Sequence, residues 1–136
     1  MHVWITLGGF EDAEKVFYSS NGGTDWSNVS GSLPNVPVNC VEVDNANGAY
    51  IGTDIGVYYR GLSMTDWTPF YNGLPKVSVT ELILNTSAGT IKAATHGRGV
   101  GKLMLIIHVR KILEFQATLV EINIIRHQIL FLQQVL

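Results

Sequence analysis

The stretch Ser19-Ser20-Asn21-Gly22-Gly23-Thr24-Asp25-Trp26 lies in a segment that recurs downstream. When the chain is shifted by 41 residues without a gap, 10 of the 33 positions from Val16 to Gly48 are identical to those from Val57 to Gly89. The identities fall in apolar runs and in glycine-rich turns alike, so composition does not account for them. A repeat of about forty residues with strand-like patterning predicts the four-stranded blades of a β-propeller.

The same stretch resembles the Asp-box, or bacterial neuraminidase repeat (BNR), whose pattern is Ser-x-Asp-x-Gly-x-Thr-Trp. The residues that match the pattern are Ser19, Gly23 and Trp26. Asn21 stands where Asp is usual and Asp25 where Thr is usual, and the second copy keeps only Trp67. The resemblance covers about residues 1–100. It implies an all-β fold, a fragment of about two to three four-stranded antiparallel blades from the C-terminal part of a secreted, sialidase-like propeller.

The residues of this box suit a structural role. The sequence Asn21-Gly22-Gly23 favours a tight turn, because these residues tolerate positive φ. The Asn21 side chain can bond backbone amides as an Asp would. We expect Trp26 to bury its ring between neighbouring blades, which would contribute roughly 2–3 kcal/mol or more. In the resembling families the box lies away from the catalytic face, so it gives no evidence for catalysis.

Length and charge limit the function classes. A closed ring of at least four 41-residue blades needs more than 136 residues, so we expect a piece of a larger ring, or a unit that assembles with others. The remaining blades are then its first partners. Unpaired blade edges and the apolar tail predict that the isolated chain self-associates or remains partly molten. The net charge of −2 favours neither nucleic acid nor an anionic membrane surface. The single cysteine, Cys40, excludes an internal disulfide.

The alternation of apolar residues and turn signals predicts ten strands in order. They are Val3–Leu7, Lys15–Ser19, Asp25–Val29, Val38–Val43, Ala49–Thr53, Gly56–Arg60, Trp67–Tyr71, Val79–Leu84, Thr90–Thr95 and Arg98–Leu103. No basic and apolar leader precedes the first strand. An extracellular or cell-surface location therefore follows from the resemblance alone, with any signal expected upstream.

The composition changes after Gly101, which divides the chain into propeller blades over 1–101 and an apolar tail over 102–136. All 14 glycines and all 4 prolines lie at or before Gly101. The apolar pattern of the tail favours a helix, with strands over Val120 to Ile125 as the alternative. Its charges exclude a membrane span. The resembling propellers typically continue Gly-Arg-Gly-Val with Trp-Glu, and restoring one base before the Gly101 codon would read Trp-Glu. A frameshift and a native, divergent tail are thus the two hypotheses, which sequencing of the source DNA separates.

The candidate catalytic residues are few. Glu11, Asp12 and Glu14 form an acidic loop, for which a solvated surface loop is the ordinary interpretation. Asp54 follows a strand at the start of a loop and is the one weak catalytic candidate, with a turn-capping role as the alternative. A sialidase site, by resemblance, needs an arginine triad, and only Arg60 and Arg98 lie in the repeat region. The histidines have no ligand spacing, so we predict no metal and no cofactor.

Two function hypotheses remain. The first is a noncatalytic scaffold that binds carbohydrate or protein through its larger parent. The second is part of a glycoside hydrolase, sialidase-like or xyloglucan-cleaving, whose catalytic residues lie largely in other blades. The aromatic residues that could stack on sugar rings are Trp4, Tyr58, Tyr59, Phe70 and Tyr71, although most of them should fill the space between blades. Fold analogy alone does not supply the activity.

Overall fold

The computed structural model describes residues 1–70, 73–97 and 99–104, and this part of the chain is all-β. The strands are β1 (Val3–Thr6), β2 (Val16–Ser19), β3 (Ser27–Asn28), β4 (Val38–Val43), β5 (Ala49–Thr53), β6 (Gly56–Arg60), β7 (Thr68–Pro69), β8 (Val79–Asn85), β9 (Thr90–Thr95) and β10 (Gly99–Met104). Each of the ten predicted strands overlaps one of them. No helix occurs among these residues.

The strands form three antiparallel sheets. The first sheet has the order β1-β2-β3, the middle sheet β4-β5-β6-β7, and the third sheet β10-β9-β8. Neighbouring strands in each sheet are also consecutive in sequence, and turns or short loops join them. The compact unit that holds the sheets spans Met1–Leu103. The prediction of an all-β fold with small antiparallel sheets is therefore confirmed.

The sequence repeat crosses from one sheet into the next. A shift of 41 residues places β2, β3 and β4 on β6, β7 and β8. Each repeated segment thus contains the last strands of one sheet, a connection with a Leu-Pro pair, and the first strand of the following sheet. The middle sheet continues from the first, and the third from the middle, through the same kind of connection.

A hydrophobic core lies between the first and middle sheets. The buried members of this cluster are Val16, Leu33, Val38, Ala49, Ile51, Tyr58 and Trp67. Trp4 and Val29, which lie on the side of the first sheet, pack against this cluster. The rings of Trp4 and Trp67 meet edge to face, with centroids 6.1 Å apart. The Trp67 indole donates a hydrogen bond of 2.7 Å to the Val29 carbonyl, which fixes the ring between the two sheets.

The opposite face of the middle sheet packs on the third sheet. Tyr50 lies on this face, where its ring contacts Tyr59 at 4.5 Å and Phe70 at 5.2 Å. Gly52 provides the close approach, since a Cβ there would lie 2.7 Å from the side chain of Val79. The middle sheet is therefore covered on both faces. Tyr58 and Tyr59, which point to opposite faces, are both buried for this reason.

The prediction that Trp26 is buried is wrong. Its side chain is 39 % exposed, whereas Trp67, at the matching position of the repeat, is 6 % exposed. The physical reason is the neighbouring sheet. The face that carries Trp67 packs on the first sheet, but the same face of the first sheet meets no other sheet among the described residues.

The boundary at 101 falls inside β10, which continues through Met104. The expected helix or strands of the tail from 105 onward lie outside the described residues, as does Arg98. The frameshift therefore stays a hypothesis, which sequencing of the source DNA tests.

Candidate functional site

Asp54 lies between β5 and β6, in the turn that joins the two central strands of the middle sheet. The turn itself is held by its neighbour Thr53. The Thr53 hydroxyl accepts a hydrogen bond of 3.2 Å from the amide of Ile55 and donates one of 2.8 Å to the carbonyl of Gly56. The turn-capping role expected for Asp54 thus belongs to Thr53, and the Asp54 carboxylate is available for other contacts.

The carboxylate of Asp54 joins the middle sheet to the third. Its Oδ1 accepts a hydrogen bond of 3.0 Å from the Asn39 side-chain amide and one of 2.9 Å from the Ser78 hydroxyl. The same Asn39 amide donates to the carbonyl of Val79 at 3.1 Å. Asn39 and Ser78 are separated from Asp54 along the chain, at the beginnings of β4 and β8. The exposed Asp54 carboxylate therefore ties two strand beginnings together.

His96 occupies the position in the third sheet that Asp54 has in the middle sheet. The Thr95 hydroxyl donates to the Gly99 carbonyl at 2.7 Å, which repeats the Thr53–Gly56 bond. The His96 amide donates to the Ser78 carbonyl at 2.9 Å, which brings this turn to the residue that binds Asp54. We call Asn39, Asp54, Ser78 and His96 the Asp54 cluster. It is a polar, mostly exposed group on the turns at one end of two adjacent sheets.

The connection from β1 to β2 lies at the corresponding end of the first sheet. It carries Glu11, Asp12 and Glu14, all exposed. Lys15, which follows them, is fully buried. Its ammonium group donates a hydrogen bond of 2.8 Å to the Gly9 carbonyl, so it closes the loop from inside. The acidic side chains point to a solvated surface, as expected from their composition.

The Asp-box residues form one hydrogen-bonded turn. The Ser19 hydroxyl accepts hydrogen bonds from the amides of Asn21, at 3.3 Å, and Gly23, at 2.8 Å. The Asn21 side chain accepts one of 3.0 Å from the Asp25 amide and donates one of 2.7 Å to the Asp25 carboxylate. Gly23 has φ of 94°, a conformation that favours glycine. The polar groups of the box are therefore used inside the turn.

The second copy of the box joins two sheets instead of closing on itself. The Arg60 guanidinium donates a hydrogen bond of 2.9 Å to the Val29 carbonyl, which also accepts the Trp67 indole. Asp66 accepts hydrogen bonds from the amide and hydroxyl of Ser32. Both Val29 and Ser32 follow β3 in the chain. Arg60, Asp66 and Trp67 consequently bind the outer part of the middle sheet to the connection that leaves the first.

These hydrogen bonds perturb Asp66. The Ser32 hydroxyl, followed by the backbone amides of Ser32 and Trp67, holds the pKa of the Asp66 carboxyl below its ordinary value. The bonds therefore stabilise the fold above the usual aspartate pKa of about 3.9 and lose that effect as pH falls through the lower folded pKa.

We expect Asp66→Asn to lower the free energy of unfolding near neutral pH, and the difference from the natural chain to shrink as the solution is acidified below about pH 4. The effect is modest because the carboxylate is exposed. Urea unfolding across a pH series measures it. A stability difference that stays constant into strong acid would show that the charge of Asp66 has no part in it.

Cys40 is half-buried on β4, facing Gly52. Burial, more than any other cause, raises the pKa of its thiol to about 11. The thiol is therefore protonated near neutral pH and is a poor nucleophile. Burial and the nearby Glu81 likewise raise the pKa of Glu42. Among the described residues, no group of three or more His, Cys, Asp or Glu side chains could hold a metal ion.

The structure brings together some of the predicted residues and separates others. Ser19, Asn21 and Gly23 share one turn, while Asp54 lies in a different turn and is bonded by Asn39 and Ser78, which the sequence does not single out. No local signal points to Asn39 and Ser78, because they lie 15 and 24 residues from Asp54. The burial of Lys15 could have been suspected from its place at the start of an apolar strand.

No family model, curated protein or solved structure matches this chain. In the part of the chain that the structure describes, no helix has the length and apolar character needed to cross a membrane.

Proposed function

We propose that the chain is a group of Asp-box-type β-propeller blades that serves as a noncatalytic scaffold for binding carbohydrate or protein. The observation that carries this proposal is the middle sheet. It has four antiparallel strands in sequence order, is covered on both faces by sheets of the same chain, and is joined to each by a Leu-Pro connection. Propeller blades are four-stranded antiparallel sheets that repeat about every forty residues, and the four strands of the middle sheet, together with the 41-residue repeat, support this proposal. The secreted location proposed with it comes from the Asp-box resemblance.

The contacts of the polar residues favour a scaffold. The side chains of Ser19, Asn21 and Asp25 bond within their own turn. The Asp54 carboxylate is held by an amide and a hydroxyl, whereas glycoside hydrolysis needs a second carboxyl group at about 5–5.5 Å or 6.5–9.5 Å. The amide and the hydroxyl that bond to the Asp54 carboxylate hold it in a fixed position on the surface. Activity is not required to explain any of these contacts.

The proposed ligand surface is the end of the sheets that carries the Asp54 cluster and the β1–β2 connection. Phe10, in that connection, is 69 % exposed. Exposed aromatic rings stack on sugar faces, and nearby amide, carboxylate and imidazole groups can bond sugar hydroxyls. Carbohydrate is therefore the first ligand class to test.

A glycoside hydrolase remains the second candidate. The observation that favours it is the position of Asp54 and of Glu11, Asp12 and Glu14 on turns at the same end of adjacent sheets. Carboxyl groups from different blades are what a glycosidase brings together. Under this candidate, further carboxylates would come from blades outside this chain.

Titration calorimetry with a xyloglucan oligosaccharide and with sialyllactose tests the proposal. Phe10→Ala and His96→Ala should each weaken binding by at least about tenfold, because they remove the stacking ring and a bonding group. Asn45→Ala is the matched control, since Asn45 is exposed in the β4–β5 turn at the opposite end. If neither sugar binds, or all three variants bind alike, the proposed carbohydrate surface is wrong. If the natural chain releases reducing sugar and Asp54→Asn abolishes this release, the chain is a hydrolase and the scaffold proposal is wrong.

A further inference from the structure

The chain contains two Asn-x-Ser/Thr triplets, the acceptor motif for N-linked glycosylation. They are Asn28-Val29-Ser30, which begins in β3, and Asn85-Thr86-Ser87, which begins at the last residue of β8. The motif combines a side-chain amide that carries the glycan with a hydroxyl two residues later. A glycan is bulky and solvated, so a folded chain can carry one only where the asparagine amide is open to solvent.

The first triplet is used inside the fold. The Asn28 Nδ2 donates a hydrogen bond of 2.8 Å to the Ala13 carbonyl, and its Oδ1 accepts one of 2.7 Å from the Ser30 hydroxyl. Ser30 is 1 % exposed, and its hydroxyl accepts hydrogen bonds from the amides of Lys15, at 2.8 Å, and Val16, at 3.0 Å. The amide and the hydroxyl of this triplet are therefore both engaged in holding the first sheet to its connections.

The second triplet lies in the hairpin turn between β8 and β9. Asn85, Thr86 and Ser87 are all exposed. The Asn85 Oδ1 accepts a hydrogen bond of 2.8 Å from the Ala88 amide, which keeps the side chain in the turn. Within the part of the chain that the structure describes, neither the Asn85 Nδ2 nor the Ser87 hydroxyl has a bonding partner. Both groups that the motif requires are thus on exposed residues and unengaged.

The repeat shows why Asn85 is open while its counterpart is not. A shift of 41 residues places Asn85 on Asp44, which is 4 % exposed. The Tyr59 hydroxyl donates a hydrogen bond of 3.3 Å to Asp44 Oδ2. Tyr59 stands three residues after Gly56, whose carbonyl accepts the turn threonine, and Lys102 stands three residues after the equivalent Gly99. Lys102 is exposed, so the third sheet has no tyrosine to cover this position.

We propose that Asn85 is an N-glycosylation site. An oligosaccharyltransferase transfers an oligosaccharide from a lipid diphosphate to Nδ2: the bond from the sugar C1 to the diphosphate oxygen breaks, a C1–Nδ2 bond forms, Nδ2 loses a proton, and the lipid diphosphate leaves. The site rests on the secreted location proposed with the function, because this modification belongs to secreted chains. The β8–β9 turn and the turn of His96 lie at opposite ends of β9. A glycan on Asn85 therefore leaves the Asp54 cluster uncovered.

Secretion of the full chain from cultured eukaryotic cells, behind a cleavable signal, tests the site. Gel mobility before and after peptide N-glycosidase treatment detects the glycan, and mass spectrometry finds the asparagine that the glycosidase converts to aspartate. The secreted chain should carry a glycan at Asn85 and none at Asn28. Ser87→Ala should abolish the mobility shift while it keeps the Asn85 side chain. Ser87→Thr is the matched control, since it preserves the motif and should keep the full shift.

Two results overturn the proposal. One is a secreted chain without a glycan at Asn85, and the other is a glycan at Asn28. The added signal exports the chain whatever its natural location, so either result counts against the site itself and leaves the sugar-binding surface untouched. Titration calorimetry with the glycosidase-treated chain tests that surface separately, which keeps failure of the glycosylation site distinguishable from failure of the proposed function.

Discussion

Trp67→Ala is expected to lower the free energy of unfolding by about 3–5 kcal/mol. The Trp67 ring is buried between the first and middle sheets, where it meets Trp4 edge to face. The substitution removes the packed ring and leaves a cavity, which both destabilise a core. It also removes the donor that bonds the Val29 carbonyl. The loss should appear as a lower midpoint in urea unfolding monitored by circular dichroism.

Trp26→Ala is the matched control for this substitution. The residue is the same type at the equivalent position of the repeat, but its ring is partly exposed and contacts the glycine turn of its own box. We expect a destabilisation of less than half that of Trp67→Ala, because less apolar surface returns to water. Trp67→Phe adds a second comparison, since it keeps most of the ring and loses the hydrogen bond, at about 1 kcal/mol. Equal effects of the two alanine substitutions would mean that Trp67 is not the residue that joins the sheets.

Gly52→Ala is the second substitution with a large expected effect, a loss of about 1–3 kcal/mol. Gly52 lies in β5 at the interface of the middle and third sheets. A Cβ there would lie 2.5 Å from the Cys40 sulfur and 2.7 Å from the Val79 side chain. Val79 is fully buried, so it cannot move aside without disturbing the packing of β8. Thermal and urea unfolding should both report the loss.

The control for this prediction is Gly8→Ala, because a Cβ at Gly8 meets no atom within 4 Å. Its stability should stay close to that of the natural chain. Adding Cys40→Ala to Gly52→Ala should recover part of the loss, since it removes one of the two contacts, and the two changes should be non-additive. If Gly52→Ala is as stable as Gly8→Ala, the two sheets are not in the close contact described.

The strands and turns are predictable from the sequence because residues close together in the chain determine them. Alternating apolar residues place the ten strands, and glycine-containing turns separate them. Asn21 stands where aspartate is usual. Its side chain accepts the same kind of hydrogen bond, from the backbone amide of Asp25. That bond spans only four residues. Such short-range contacts are visible in a sequence without knowledge of how the sheets pack.

The burial of individual side chains and the composition of the site depend on contacts between residues that are distant in the chain. A single sequence does not reveal such contacts. Trp26 and Trp67 are indistinguishable within the repeat, yet among the described residues a sheet packs on the face of Trp67 and none on that of Trp26. Asp54 was identified from its place after a strand, but its partner Ser78 comes from the beginning of a strand in the next sheet. The place of Lys15 at the start of an apolar strand points to its burial, but its partner does not show in the sequence: the Gly9 carbonyl, in the preceding loop, accepts its ammonium group.

The most direct test of the central claim, that the repeated segments fold as successive packed sheets, is the set of through-space proton contacts made by the Trp67 indole in solution. Nuclear Overhauser measurements should show cross-peaks from Trp67 to the Trp4 ring and to the methyl groups of Val16 and Val29, which belong to the first sheet or its exit. The indole of Trp26 should show contacts with Gly23 and none with the core valines. If Trp67 contacts only residues of its own sheet, the account of the fold is contradicted.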